Sequence, residues 1–471
     1  MKLEDKISQI DISLSKDKEC KDADTKKSST KCYECSDFDQ SKYTKVRLSE
    51  LGSSCDKQFV QTFGWVTKCS ALKTYTFVEL TSEFSTVKLV IPGCHDISFT
   101  TSLVVYGVVK AVSSAKDNFT FEISIDKFSI YNGKNAPSFP LNASSEKESR
   151  LDNGHLALRM KDRSLFLKVR SALLHCIRDF YYSSKYTEIT PPTLVQTQVE
   201  GGSTLFEMKY YNEPAYLTQS SQLYLETVVP VTGKAYCIMP SYRAEKSKTS
   251  RHLSEYTHVE AELADIDFED LLSSVESLVR YSVTKFYELS LKDILEVYPD
   301  FQKFELSSEP FGRITYTDAI KFLQQHDHMK TDGTPYEYMD DIADASEKFL
   351  VATYGKGRPL FMTHFPCEMK SFYMKKVGDG LTESCDLLFP DIGEIVGGSM
   401  RLDDAEKLEQ AFEREGINPK GYYWYIDMSK YGPSSHGGYG LGFERLLMGL
   451  MNYKHVDDAT LYPRKVNRCK P

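Results

Sequence analysis

The sequence contains no long hydrophobic run, and no segment approaches the ~20 apolar residues that a membrane-spanning helix requires. Its 11 cysteines are odd in number and scattered over 471 residues, so the dense disulfide framework of a small secreted domain is missing. The opening segment MKLEDKISQIDISL carries acidic residues where a signal or transit peptide would not. These absences favour a reducing compartment, and we expect a cytoplasmic protein with no membrane partner.

An excess of positive charge is lacking as well. The formal net charge is −9 and the isoelectric point is about 5.7, so the chain as a whole is not attracted to nucleic acid. Any contact with RNA must therefore come from a local basic patch. Cys32 and Cys35 form a C-x-x-C pair, but no second pair follows at the spacing of a zinc site, which favours neither a metal nor a redox site there.

The length allows about two or three domains. Residues 1–45 hold a Lys/Ser/Asp-rich segment with little to bury, which predicts a charged arm that is either a solvated extension or a contact for RNA. Residues 46–134 contain short β-type runs separated by turn signals, which predicts a small β-barrel. Residues 135–159 are rich in proline, serine and charge, as is typical of a linker, and residues 160–471 form the largest part.

Helical spacing of apolar residues appears twice in this largest part. The first predicted helix has its stripe at Leu165, Val169, Leu173, Ile177 and Phe180, and the second has its stripe at Phe268, Leu271, Val275, Leu278, Val279, Val283 and Phe286. A further helix is predicted to start at Thr317-Asp318, where threonine can cap it. Two later segments, PLFMTHFPCEMKSFYM and ESCDLLFPDIGEIVGGSMR, have the composition of buried strands.

The stretch from Ser241 to Glu262 carries the most chemistry. Its second half alternates polar Tyr256, His258, Glu260 and Glu262 with apolar or small residues, and this period of two places the polar side chains on one face of a strand. Arg243 and Glu245 share a face in the first half; a guanidinium suits a phosphate and a carboxylate suits an exocyclic amine. The simpler alternative is a hairpin with a solvated, charged face.

A second stretch, HGGYGLGFERLLMGL, has glycines that permit a tight turn and close backbone approach, followed by a helical pattern that fixes Arg445 near a helix start. Together, the R-x-E, the H-L-x-E-Y-T and the G-x-G-x-E-R of the two stretches resemble motifs 2 and 3 of class II aminoacyl-tRNA synthetases. The resemblance implies an α+β fold, in which a class II synthetase antiparallel sheet flanked by helices is preceded by an N-terminal OB-fold β-barrel.

Over residues 57–471 the order and spacing of motifs are similar to those of asparaginyl-tRNA synthetases of the eukaryotic cytosolic type. Such enzymes form an aminoacyl-adenylate from L-asparagine and ATP with release of pyrophosphate, and then transfer the acyl group to the 3′ end of tRNA(Asn). An aspartyl-tRNA synthetase and a catalytically inactive, RNA-binding paralogue remain the alternatives. The helix, strand and Pro192 before motif 2 resemble motif 1, which implies a homodimer, although an ordinary core helix has the same pattern.

The resemblance implies ATP and Mg²⁺ as cofactors. Arg243 would hold the α-phosphate, Glu245 would accept from the adenine amine, and Tyr256 and Arg445 would sandwich the ring. Mg²⁺ would bind Glu394, together with Asp386 because Gly397 stands where aspartyl enzymes carry serine. The implied ATP set is Arg243, Glu245, His252, Leu253, Tyr256, Glu394, Gly442 and Arg445, of which Arg243, Glu394 and Arg445 are also assigned to catalysis. His252 and His436 fit a contact with the triphosphate and a structural role equally well.

EGGSTLF and LTQSSQLYLE resemble the flipping loop and the amino-acid-binding segment of the aspartyl/asparaginyl subgroup. The implied amino-acid site is Glu200, Ser203, Gln219, Gln222, Glu226, Glu260 and Arg401. Leu225 stands where aspartyl enzymes carry a lysine, and Glu226 replaces their glutamine. We therefore expect the asparagine carboxamide to accept from Arg401 and donate to Glu226, while aspartate would meet a like charge. In the barrel, Phe77 resembles the aromatic that stacks on the central anticodon base, and Lys88 stands where a glutamine usually reads it; an ordinary core role for Phe77 stays open.

Overall fold

The computed structural model describes residues 38–112, 119–199, 205–246, 249–378 and 380–471. The chain divides into two compact units between Phe139 and Pro140, so the predicted linker 135–159 spans the division. Most of the predicted arm lies outside the described residues, as do Glu200 and Ser203. None of the helices in the described ranges combines the length and the apolar character needed to cross a bilayer.

The first unit is a β-barrel, as predicted. Its strands are β1 (Thr44–Lys45), β2 (Phe59–Ala71), β3 (Tyr75–Ser82), β4 (Ser85–Pro92), β5 (Ser102–Ala111) and β6 (Phe121–Ile130). The order β2-β3-β4-β6-β5 closes on itself because the long strand β2 pairs with both β3 and β5. Alternate residues such as Val78 and Leu80 of β3 fill the interior, and this five-stranded closure is that of an OB-type barrel.

The second unit is built on one large sheet. Its strands are β7 (Thr187–Glu188), β8 (Leu194–Val195), β9 (Glu207–Tyr210), β10 (Glu213–Leu217), β11 (Lys234–Tyr242), β12 (Glu255–Ala264), β13 (Gly312–Thr315), β14 (Leu360–Thr363), β15 (Lys376–Val377), β16 (Leu381–Thr382), β17 (Ser384–Phe389), β18 (Gly393–Met400) and β19 (His436–Gly442). Eight of these strands form the large sheet, in the order β13-β14-β17-β18-β19-β12-β11-β7; β8, β10 and β9 form a separate small sheet, and β15 pairs with β16. All pairings from β14 to β11 are antiparallel, and the edge strands β13 and β7 are parallel to their neighbours.

Helices flank this sheet, which confirms the predicted α+β architecture. They are α1 (Lys147–Asp152), α2 (Gly154–Ala157), α3 (Lys161–Ser183), α4 (Gln222–Thr232), α5 (Phe268–Val297), α6 (Tyr316–Gln325), α7 (Asp344–Thr353), α8 (Ala405–Arg414), α9 (Tyr423–Lys430) and α10 (Phe443–Leu450). The predicted apolar stripes of α3 and α5 are buried together in the main core. Helix α6 begins at Tyr316, earlier than predicted, because Thr315 rather than Thr317 supplies the capping oxygen, which accepts from the Asp318 amide.

Candidate active site

A cleft of about 580 Å³ lies in the second unit, over the centre of the sheet. The side chains of Tyr256, His258, Glu260 and Glu262 on β12 line this cleft, whereas Val259 lies in the core on the other face of the strand. Strand β12 sits between β11 and β19, so its polar row is flanked by sheet on both sides. The period-two pattern thus becomes the floor of a cleft rather than a solvated hairpin face.

The glycines of β19 make room for this polar row. Gly438, Gly440 and Gly442 are the partners of Glu262, Glu260 and His258 across the β12–β19 pairing. A Cβ atom at Gly438 would collide with a carboxylate oxygen of Glu262, and one at Gly440 would collide with the His258 ring. The glycines therefore do not form the tight turn that the sequence suggested. They lie in a continuous strand and leave space for charged side chains of the neighbouring strand.

We expect Gly438→Ala to lower the free energy of unfolding by about 1–3 kcal/mol, because the new methyl group displaces the buried Glu262 side chain. Urea denaturation of both proteins measures the difference. Gly421→Ala is the matched control in the same unit, since its Cβ would meet only a methyl group of Thr197 at 3.8 Å. Equal stability of the two variants would contradict this role for Gly438.

One cation binds the carboxylate of Glu394 at one end of the cleft, and a second cation lies nearby. Arg445, the third residue of α10, donates from Nη1 to Glu394 Oε2 (3.1 Å) and to the Glu394 carbonyl (2.9 Å). Arg251 lies nearby and pairs with Glu347 (2.5 Å), which also accepts from the Glu394 amide (3.0 Å). Burial alone would raise the pKa of Glu394, but Arg445 and Arg251 outweigh it and lower the pKa to about 2. Glu394 is therefore an anion at neutral pH.

Asp386 and Glu394 form a pair of carboxylates beside Gly397. Oxygens of both lie 3.6 Å from the place a Cβ atom of Gly397 would take, and Lys370 Nζ donates to both Asp386 oxygens (3.1 and 3.2 Å). Burial raises the pKa of Asp386 to about 7, with Lys370 opposing the shift and Glu394 adding to it. Within the described ranges no group of three or more His, Cys, Asp and Glu side chains is arranged for a metal ion. Two hard oxygen donors with an open side fit a Mg²⁺ ion that takes its other ligands from water and phosphate.

Arg401 lies at the opposite end of the cleft, directly after β18. Its guanidinium donates to both carboxylate oxygens of Glu262 (3.0 and 2.9 Å) and to the Ser399 hydroxyl (2.6 Å). It also stacks over the ring of Tyr373, with 5.3 Å between the guanidinium carbon and the ring centroid. Burial raises the pKa of Glu262, and Arg401 opposes that shift. The bidentate geometry favours the ionised form of Glu262 and leaves one edge of the guanidinium toward Glu226, 3.8 Å away.

Glu226 of α4 lies behind the cleft wall, in contact with Gln222, which lines the cleft. Its Oε1 accepts from Gln222 Nε2 (2.9 Å), and its Oε2 accepts from the Tyr425 hydroxyl (2.9 Å) and lies 3.0 Å from His436 Nε2. We call Glu226, Glu262, Arg401 and His436 the buried quartet. The neighbouring Leu225 is also buried, in an apolar cluster with residues of α4 and β11.

Glu260 joins the floor of the cleft to the start of α4. It accepts from the Ser221 amide (3.0 Å) and from the Ser220 hydroxyl, and so meets the positive end of this helix. Gln219, three residues before the first residue of α4, is buried, and its side-chain oxygen accepts from the Val199 amide (3.1 Å). Residues of the segment LTQSSQLYLE, which was assigned to amino-acid binding, are therefore brought together with β12.

The third side of the cleft is formed by the connection between β11 and β12. Arg243 lies over the ring of Tyr256, with 5.8 Å between the guanidinium carbon and the ring centroid, and both line the cleft together with Leu253. His252 lines it as well, contacts Thr249, and has its pKa lowered by burial and by Arg445. Glu245 is half-buried and does not belong to the cleft wall.

Other predicted residues lie elsewhere. His436 is not on the wall of the large cleft but against Glu226, beside a much smaller cavity. In the barrel, Phe77 is half-buried on β3, and Lys88 of the adjacent β4 places its Nζ 5.2 Å from the Phe77 ring centroid. Phe77 and Lys88 are thus side by side on the outer surface of the barrel.

The residues that the sequence analysis did not assign to the site include Arg251, Glu347 and Lys370, which line the cleft, and Tyr425, which lies beside the smaller cavity. Arg251 stands one position before His252, so the basic turn of the motif could have revealed it. Glu347 and Lys370 sit in segments without any recognisable motif, and the fold alone brings them to Glu394 and Asp386. Tyr425 reaches Glu226 across 199 residues of sequence.

Comparison with known proteins agrees with this geometry. The family described as "tRNA synthetases class II (D, K and N)" matches residues 146–466. The probable cytoplasmic asparagine–tRNA ligase of Encephalitozoon cuniculi (strain GB-M1) is 56% identical over 92% of this chain and 97% of its own length, and the cytoplasmic asparagine–tRNA ligase of Homo sapiens is 43% identical over 88% and 77%. The solved structure of Entamoeba histolytica asparaginyl-tRNA synthetase in complex with asparaginyl-adenylate has a TM-score of 0.83 and 38% identity, covering 91% of this chain and 99% of that one. The chain therefore belongs to the class II tRNA synthetases, in the branch of the asparagine–tRNA ligases.

Proposed function

We propose that this protein is an asparagine–tRNA ligase that activates L-asparagine with ATP and transfers it to the 3′ end of tRNA(Asn). The observation that carries the proposal is the cleft with two chemically distinct ends: cations around Glu394 at one end, and Arg401 held by Glu262 at the other. The first end suits a nucleoside triphosphate and the second a small polar side chain. The names of the similar proteins support the same assignment, and those named cytoplasmic support a cytoplasmic location.

The activation step requires no general base, because the α-carboxylate of an amino acid has a pKa of about 3.5 and is ionised at neutral pH. Its oxygen attacks the α-phosphorus of ATP, and pyrophosphate leaves. Catalysis then consists of positioning and of stabilising charge on the phosphates. Arg243 and Arg445 provide that charge, and the Tyr256 ring offers a face on which the adenine base stacks.

Glu394 and Asp386 are the residues that would hold Mg²⁺. When bound, the ion neutralises phosphate charge and orients the triphosphate. The chain's own contribution is to keep the two carboxylates together beside Gly397 and to keep Glu394 ionised through Arg445. The raised pKa of Asp386 also fits a cation site, since two neighbouring carboxylates repel each other and a cation between them relieves the repulsion.

Asparagine fits the other end better than aspartate does. A carboxamide offers an oxygen to Arg401 and an N–H to the acceptors near Gln222 and Glu226, whereas aspartate would add a third carboxylate beside Glu262 and Glu226. An aspartate-specific site would need an extra cation. By resemblance, aspartyl enzymes carry a lysine at the position where this chain has the apolar Leu225. The alternative of an inactive paralogue is disfavoured because Arg243, Glu394 and Arg445 all reach the cleft.

Two further parts of the proposal concern tRNA and assembly. Phe77 and Lys88 offer a ring and a cation on the outer surface of the barrel, a combination suited to stacking on an unpaired base beside a phosphate, and we assign them to the anticodon. We also assign α3 and the segment at Pro192 to a homodimer interface, on the resemblance of this region to motif 1. Residues 1–45 remain assigned to a charged arm outside the chemistry.

Aminoacylation tests the proposed function directly. Incubation of the protein with ATP, Mg²⁺, radiolabelled asparagine and total tRNA should transfer label to acid-precipitable tRNA. Labelled aspartate in a parallel reaction should not be transferred. Charging with aspartate instead of asparagine would favour the aspartyl alternative, and ATP binding with no charging by any amino acid would favour the inactive paralogue.

A further inference from the structure

Hydrogen-bond chemistry defines the proton on one nitrogen of His436. Its Nδ1 lies 2.8 Å from the carbonyl oxygen of Ser434, and a carbonyl can only accept. Nδ1 therefore carries a proton. The other nitrogen, Nε2, lies 3.0 Å from Glu226 Oε2, so the state of Glu226 decides whether His436 is neutral or an imidazolium.

Three further groups that face Glu226 favour its ionised form, whereas the Glu262 carboxylate opposes it. The Gln222 amide and the Tyr425 hydroxyl both donate to it, and Arg401 lies 3.8 Å away. A carboxylate accepts from such donors, so the proton between the two residues belongs to Nε2. Burial alone would lower the pKa of His436, but Glu226 raises it to about 9; burial would raise the pKa of Glu226, but His436 and Arg401 lower it.

When Glu262 is ionised as well, the buried quartet carries two negative and two positive charges that cancel. Glu262 on β12 and Arg401 after β18 form one pair, and Glu226 on α4 and His436 on β19 form the other. Tyr425 from α9 braces Glu226, and Tyr373 covers the Arg401 guanidinium. His436 supplies the second cation although it does not line the substrate cleft, so its effect on substrate must pass through Glu226.

We propose that His436 is the positioning residue that sets carboxamide selectivity: as an imidazolium, and with Tyr425, it keeps Glu226 an anion, and that anion excludes a substrate whose side chain is a carboxylate. This inference rests on the proposed function. Without the imidazolium, two buried carboxylates would share Arg401, and one of them would take up a proton as the pH falls. A protonated Glu226 can donate to an aspartate carboxylate, so the selectivity would become dependent on pH.

The test is the ratio of kcat/KM for asparagine to kcat/KM for aspartate in tRNA-free pyrophosphate exchange, measured from about pH 6 to about pH 8.5. In wild-type protein Glu226 stays ionised over that range, because His436 and Arg401 lower its pKa, so any change of the wild-type ratio with pH comes from Glu262, whose pKa burial raises to about 7 against the opposing Arg401. Glu262 is present in every variant, so the wild-type profile is the baseline for the comparison. In His436→Gln the ratio should fall roughly tenfold toward the acid end, as expected for uptake of one proton with a pKa inside the range. Adding Glu226→Gln to His436→Gln should remove the pH dependence that His436→Gln adds to the wild-type profile.

Matched controls separate this effect from general damage. His95→Gln replaces a buried histidine of the barrel, and Tyr236→Phe removes a hydroxyl that donates to Glu188 (2.7 Å), a residue outside the quartet. Both should keep the wild-type ratio at every pH, whereas Tyr425→Phe should shift the ratio in the direction of His436→Gln. A ratio in His436→Gln that equals the wild-type value at all pH values would overturn the inference. No exchange of wild-type protein with asparagine would instead overturn the proposed function.

A second measurement decides the case if His436→Gln is unfolded or inactive. In wild-type protein with ¹⁵N-labelled histidine rings, the signal that moves in Tyr425→Phe belongs to His436, because Tyr425 and His436 contact the same Glu226 oxygen. That ring should show two protonated nitrogens at about pH 8, above the range where ordinary histidines titrate. A neutral ring at this pH would refute the imidazolium and with it the proposal.

Discussion

Replacing Arg445 by alanine is expected to reduce asparagine-dependent pyrophosphate exchange by about 10²–10³-fold, the loss found when one preorganised charge is removed from an active site. Two effects combine. The variant loses a cation that faces the triphosphate, and Glu394 loses the largest of the charges that keep it ionised against burial. The pKa of Glu394 should rise, so the remaining activity should fall off at a higher pH on the acid side than in the wild type.

Arg313→Ala is the matched control, because Arg313 forms an exposed pair with Glu269 (2.7 Å) away from the cleft. Exchange by this variant should equal that of the wild type, since exposed pairs contribute little to stability. The measurement is kcat/KM for ATP and for asparagine across pH. An Arg445→Ala variant with wild-type kinetics would remove Arg445 from the mechanism.

Replacing Glu226 by glutamine is expected to reverse the preference between the two amino acids. The change removes one anion from the buried quartet, so that Arg401 faces Glu262 alone, and His436 loses the carboxylate that favours its imidazolium form. Aspartate then no longer meets the charge of Glu226, while asparagine loses a charged acceptor for its N–H and meets only the weaker amide oxygen of glutamine. We expect activation of asparagine to fall roughly 10²-fold and activation of aspartate to rise, as is typical when a buried polar partner is removed.

Glu188→Gln is the control for this experiment, since Glu188 also accepts from a tyrosine, Tyr236, and pairs with a cation, Arg178 (3.3 Å), but lies outside the cleft. Its preference should remain that of the wild type. Adding Leu225→Lys would be a less clean test, because Leu225 is packed among Val229 and Ala235 and a lysine would bury its ammonium there. A Glu226→Gln variant that still prefers asparagine by the wild-type factor would contradict the role given to Glu226.

Much of the site could be predicted because its residues follow local patterns. The alternation along β12 places its polar residues on one face, and the helical spacing after Gly442 places Arg445 in the first turn of α10. These patterns arise from backbone geometry, so they are visible in a single sequence. The barrel and the buried stripe of α3 were predictable for the same reason.

The rest depends on contacts between distant segments. Lys370 comes after a strand in the sequence, and no neighbouring residue distinguishes it from a surface lysine. The pairing register of β14 and β17 brings its partner Asp386 to it. Tyr425 belongs to an amphipathic helix whose residue types suggest only packing. The prediction of a turn at the glycines of β19 was wrong for a different reason. Their pattern is compatible both with a turn and with a strand whose missing side chains leave room for the side chains of the neighbouring strand.

The central claim is that this cleft activates asparagine by itself, before any tRNA binds. Exchange of labelled pyrophosphate into ATP, measured without tRNA for each amino acid in turn, tests it most directly. We expect rapid exchange with asparagine, weak or undetectable exchange with aspartate and none with the others, because Arg243, Glu394, Arg401 and Arg445 all line the same cleft. Exchange that prefers aspartate, or no exchange with any amino acid by a protein that binds ATP, would contradict it.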